Sequence, residues 1–122
     1  MTDLRYTVRD EIRLAYRHRT GNGPTIVFLP GYMSDMDGGK ATALDEWANA
    51  SGQAMLRLDY SGCGESEGLF ADQTLDSWRD DVIHLIDGII GGPVILVGSS
   101  MGGWLMLLVA LARPGRIAGM VG

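Results

Sequence analysis

The feature that most constrains this chain is a serine–glycine turn, Gly98-Ser99-Ser100-Met101-Gly102-Gly103, set between two apolar segments. Before it runs Pro93-Val94-Ile95-Leu96-Val97, short and rich in branched side chains, as suits a strand buried on both faces. After it an apolar stretch reaches Ala112 and stops at Arg113-Pro114-Gly115, because proline cannot extend a helix ladder. Two serines compete for the centre of the turn. Ser100 has glycine two residues before and two residues after it; Ser99 has Val97 and Met101 there. A serine on a sharp strand-to-helix turn needs small neighbours so that the two elements can approach, which makes Ser100 the candidate nucleophile. The helix start adds free N–H groups and partial positive charge. A glycine-rich turn without chemistry is the competing reading. A phosphate cradle is disfavoured, since neither a Walker lysine nor a G-x-G-x-x-G spacing is present.

The remaining elements surround that turn in a regular order. Residues 4–19 alternate apolar and charged side chains and predict an antiparallel hairpin. Arg19 to Pro24 reads as a turn, and Thr25-Ile26-Val27-Phe28-Leu29 as a buried strand ended by Pro30-Gly31. A polar loop runs from Tyr32 to Gly39. Residues 40–51 carry Leu44, Trp47 and Ala48 at helical spacing, with Gly52 as the C-terminal cap. Residues 54–58 predict a strand that leaves into a glycine-rich loop from Asp59 to Gly68. Thr74 suits an N-cap, and Leu75, Trp78, Val82, Leu85, Ile86 and Ile89 mark one face of the helix that follows. Ile117 to Val121 begins a further strand. Alternating strands and helices predict an α/β fold: a mostly parallel sheet with helices on both faces, fed by the N-terminal hairpin.

A serine that transfers acyl groups needs two N–H donors where negative charge develops. One is the N–H of the residue after the nucleophile, Met101; the other comes from the loop after an earlier central strand. That loop is Pro30-Gly31-Tyr32-Met33. Gly31 permits close approach to substrate, Tyr32 N–H is the expected second donor and Met33 the runner-up. Tyr32, Met33 and Trp104 are expected to line the acyl site, although for Trp104 plain helix packing is an equally good reading.

Three segments, Phe28-Leu29-Pro30-Gly31-Tyr32, Leu58-Asp59-Tyr60-Ser61-Gly62-Cys63-Gly64-Glu65-Ser66 and Val97 to Trp104, together resemble α/β-hydrolases of the single-domain esterase and thioesterase kind. The similarity is greatest to the palmitoyl-protein thioesterase and acyl-glucuronide esterase branch, and covers residues 10 to 121. It implies an α/β-hydrolase fold, no cofactor, and a small-molecule ester or thioester substrate. The frequent His-Gly of the oxyanion loop is Pro-Gly here, which leaves backbone donation intact. The Asp59–Ser66 loop is expected to be structural, and Cys63 an ordinary loop cysteine rather than a reactive thiol.

The triad order for such a serine is Ser, then Asp or Glu, then His. No Asp, Glu or His follows Ser100. His18 and His84 precede it and read as solvated surface residues. The chain is therefore expected to be the N-terminal part, residues 1–122, of a single α/β-hydrolase domain cut after about the sixth strand. A missing C-terminal half or a complementing chain would supply the acid and base. Alone it should have little turnover. A catalytically incomplete half-domain that binds a partner chain is the alternative, and C–C bond hydrolysis or perhydrolysis a third reading. The net charge of −5 argues against nucleic acid, and the acidic residues, Asp45 among them, are scattered with no run longer than Asp80-Asp81 and read as solvated surface. One cysteine excludes an internal disulfide, and no metal site is expected. With no apolar stretch near 20 residues and no apolar leader, neither a membrane span nor a secretory signal is predicted, and the expected location is cytoplasmic.

Overall fold

The computed structural model describes residues 2–122. Six strands form one sheet in the order β1-β2-β4-β3-β5-β6. The hairpin β1 (Arg5–Arg9) and β2 (Ile12–Arg19) is antiparallel, and β2 joins β4 antiparallel. The strands β3 (Asn22–Leu29), β4 (Gln53–Leu58), β5 (Val94–Gly98) and β6 (Ile117–Val121) run parallel.

The period-2 alternation of each strand sorts side chains onto two faces. Val27, Leu29, Leu56, Leu58, Val94 and Leu96 build the larger core, under α2 (Leu75–Ile89) and α3 (Met101–Ala112). Ile26, Phe28 and Met55 point the other way, under Ala41 and Ala48 of α1 (Gly39–Ser51). Helices thus cover both faces, as expected. Gly52 caps α1 in the left-handed conformation, φ 70°. At the start of α2, Thr74 accepts from the Ser77 N–H while the Ser77 hydroxyl accepts from the Thr74 N–H.

Several expectations need correction. The turn expected over Arg19 to Pro24 narrows to two residues, because β2 runs to Arg19 and β3 starts at Asn22. Trp47 is 53 % exposed; the buried place on α1 belongs to Asp45, whose carboxylate takes two hydrogen bonds from the Arg19 guanidinium, at 2.9 and 3.0 Å. Asp81 is not solvated surface. It is fully buried, accepting from Arg9 Nε at 2.8 Å and from the Ser61 N–H and hydroxyl at 2.7 Å each. A buried charge persists only when paired and hydrogen-bonded, and periodicity carries no signal of a partner so distant in sequence. His84 is half-buried rather than solvated, a ring nitrogen lying 3.2 Å from Thr7 Oγ1. His18 is also half-buried. Burial first, and then Arg5, lower its pKa.

Candidate active site

The site grows from the reversal of strand order. From β3 the chain moves to β4 on one side, then crosses to β5 on the other. Ligands of open α/β sheets bind beyond the carboxyl ends of the strands at such a switch point. Leu29 pairs with Gly98 at the last register position of β3 and β5, so the loops that follow leave the sheet side by side. One is Pro30-Gly31-Tyr32-Met33; the other holds Ser99-Ser100.

Ser100 sits between β5 and α3 with φ 56° and ψ −116°. A positive φ with that ψ is sparsely populated for a residue with a side chain, and such strain persists only where the surroundings impose it. The glycines on either side show how they do so. A Cβ on Gly98 would lie 2.6 Å from the Gly102 carbonyl carbon, and a Cβ on Gly102 2.8 Å from the Leu29 carbonyl carbon. Backbone therefore meets backbone where β5, α3 and the end of β3 converge, and Ser100 is left exposed at the apex. Ser99 differs: its N–H donates to Leu29 O at 3.2 Å, and its hydroxyl accepts from Lys40 Nζ at 3.3 Å.

The second loop faces this apex. A Cβ on Gly31 would lie 3.1 Å from the Ser99 carbonyl oxygen and 3.4 Å from Ser100 Cβ. Ser34 N–H donates to Gly31 O at 3.1 Å, closing a tight turn in which Met33 takes φ 56°. The N–H groups of Tyr32, Met33 and Met101 donate to no backbone acceptor among the described residues. Tyr32 and Met33 are exposed, as is Trp104, which with Leu75, Met101 and Ser100 borders an apolar cleft. The structure thus brings Gly31, Ser100, Met101 and Trp104 to one end of the sheet, with Tyr32 and Met33 beside them.

Sequence reasoning missed what steadies the Pro30–Met33 loop. Tyr60, buried at the end of β4, donates its hydroxyl to the Pro30 carbonyl at 2.8 Å. Phe70 meets the Tyr32 ring edge-on at 5.6 Å and lies 5.6 Å from the Trp78 ring, and Trp78 Nε1–H donates to Ser61 O at 2.9 Å. The sequence signal for Tyr60 was its place in the Asp59–Ser66 loop; Phe70 has none. That loop wraps the buried Asp59 carboxylate, which accepts from the Met36 and Glu65 N–H groups at 2.8 and 2.9 Å. Burial, opposed by those hydrogen bonds, raises the Asp59 pKa. Half-burial pushes the Cys63 thiol up to about 11, with the Asp59 and Asp81 charges adding to it, so the thiolate is scarce near neutrality. No group of three or more His, Cys, Asp or Glu side chains able to hold a metal ion occurs among the described residues.

A model of the alpha/beta hydrolase family matches residues 26–121. The chain belongs to that family. It is 47% identical over 122 residues to the palmitoyl-protein thioesterase ABHD10, mitochondrial, of Rattus norvegicus, covering 99% of this chain and 41% of the rat protein. Among solved structures it resembles the mouse alpha/beta hydrolase domain-containing protein 10, with TM-score 0.93 and 46% identity over 97% of this chain and 48% of the mouse chain. A protein from Agrobacterium vitis S4 superposes with TM-score 0.88 at 34% identity, over 98% of this chain and 50% of that one. The chain spans about two fifths of the length of the curated relatives it matches. The cytoplasmic expectation is overturned by these relatives, which are named as mitochondrial. Its basis was too narrow: mitochondrial leaders are amphipathic and arginine-rich, so a missing apolar leader says nothing against one. No helix among the described residues is long and apolar enough to cross a membrane.

Proposed function

We propose that Ser100 is the nucleophile of a hydrolase that cleaves carboxylic esters or thioesters through an acyl-enzyme. The observation carrying this reading is the strained apex at Ser100 facing the Gly31 loop, with N–H groups on both sides that lack backbone acceptors. Ser100 Oγ attacks the carbonyl carbon while its proton passes to a histidine from chain beyond these residues, itself oriented by an acidic residue. The N–H groups of Tyr32 and Met101 receive the developing oxyanion, with Met33 the substitute for Tyr32. Collapse expels the alcohol or thiol, which takes the proton, and water then releases the acyl group. Each oxyanion donor contributes about 10²–10³ in rate. The acyl group occupies the apolar cleft by Met101 and Trp104, and Gly31 leaves room for the carbonyl.

The rat relative's name favours S-acyl substrates, and also a mitochondrial setting for this protein. The test is labelling by a fluorophosphonate probe. In the full-length protein, wild type should be labelled and Ser100→Ala should not; equal labelling would remove Ser100 from the reaction.

A further inference from the structure

Clefts of different chemistry adjoin Ser100. The one bordered by Leu75, Met101 and Trp104 is apolar. A second, between the Gly31–Asp35 loop and the start of α1, contains Lys40, which also borders a neighbouring cleft beside Val97 and Val121. Lys40 is the chain's single lysine. Eight of the nine arginines pair with carboxylates, whereas Lys40 pairs with none among the described residues. Among the described residues its ammonium donates to Ser99 Oγ alone, on the residue preceding Ser100. Asp35 borders the same cleft, but its carboxylate accepts from the Asp37 N–H at 2.8 Å and makes no ion pair with Lys40. Lys40 also stands in the first turn of α1, which holds no acidic residue. A cation at that end opposes the helix dipole, so local helix energetics do not account for it.

We propose that Lys40 is a specificity residue whose ammonium receives an oxyanion, carboxylate or phosphate, carried on the leaving group of the substrate. The acyl chain then lies in the Trp104 cleft and the charged leaving group in the Lys40 cleft, with the scissile carbonyl above Ser100 between them. This rests on Ser100 being the nucleophile. An ammonium point charge suits either oxyanion, and bulk solvent at the cleft mouth screens the attraction without abolishing it.

The experiment uses the full-length protein and phenyl butanoates that carry a carboxamide, a carboxylate or a phosphate at the same ring position, together with phenyl hydrogen succinate, which places its charge on the acyl side. Lys40→Met should lower kcat/KM for the anionic phenyl butanoates relative to the carboxamide by about five- to tenfold, the size of one partly screened charge-assisted hydrogen bond. The loss should appear in KM. Lys40→Arg should restore most of it, and the succinate should respond no more than the carboxamide. Whichever of carboxylate and phosphate responds more identifies the natural oxyanion. An unchanged ratio, an equal loss on charged and neutral esters, or a loss confined to the succinate would overturn the proposal. Turnover surviving in Ser100→Ala would instead overturn the nucleophile assignment, so the two failures are distinguishable.

Discussion

Replacing Gly102 and Gly103 by alanine one at a time should move stability in opposite directions, although they are neighbours in the first turn of one helix. At Gly103 nothing lies within 4 Å of an added Cβ. Alanine there gains only helix propensity, up to about 1 kcal/mol. At Gly102 the Cβ would meet backbone, 2.8 Å from the Leu29 carbonyl carbon and 2.9 Å from Pro30 O, and neither strand β3 nor the loop after it can yield as a side chain does. Overpacking costs about 1–3 kcal/mol, and a backbone obstacle puts this case at the upper end. After crediting the same propensity gain, Gly102→Ala should destabilise by about 2 kcal/mol. The two variants should thus differ by roughly 3 kcal/mol, a gap of about 1–3 M in urea midpoint for ordinary slopes. Equilibrium urea unfolding followed by tryptophan fluorescence measures this directly. Gly102→Ala that still folds should also label more slowly with fluorophosphonate, because relief of the clash moves α3, and Met101 N–H with it. Coincident midpoints for the two variants would refute the claim that backbone contact at Gly102 holds the apex.

Other predictions follow from the buried polar groups. Tyr60→Phe leaves the Pro30 carbonyl without its partner and should cost about 1–3 kcal/mol, with a fall in probe labelling that Phe70→Leu shares and a surface change such as Glu46→Gln does not. Arg9→Met strips the fully buried Asp81 of its cation and should destabilise by about 3–5 kcal/mol, measured by the same urea titration. For Asp45, the Arg19 hydrogen bonds hold the carboxyl below its ordinary 3.8 despite partial burial. The stability from that shift is complete above the unfolded value and disappears as pH falls through the folded one. Asp45→Asn should therefore flatten the acid side of the stability–pH curve below about pH 4, and an unaltered slope would contradict the pairing. The Cys63 thiol, pushed up to about 11, should alkylate slowly with iodoacetamide at neutral pH in the folded protein and readily in urea.

The chain's local rules were legible wherever one stretch of residues decides its own geometry. Pro114 ends a helix, Thr74 caps one, and Gly98 and Gly102 permit a bend at Ser100, because each effect acts within a few residues. The period-2 and helical patterns identified the strands, the helices and the covered sheet. What the patterns could not supply is partnership across the fold. Asp45 and Asp81 read as surface because their arginines lie 26 and 72 residues away. Trp47 shares the helical spacing of Leu44 and Ala48, yet it is exposed while Asp45, paired with Arg19, is buried. The tertiary structure alone decided that Leu29 and Gly98 share a register, and so that Gly31 faces Ser100 while Tyr60 and Phe70 support its loop and Lys40 borders the same opening. A residue's conformational limits are carried by its own covalent structure and its near neighbours. Which distant groups meet is settled by the order in which strands assemble, and only the assembled sheet displays it.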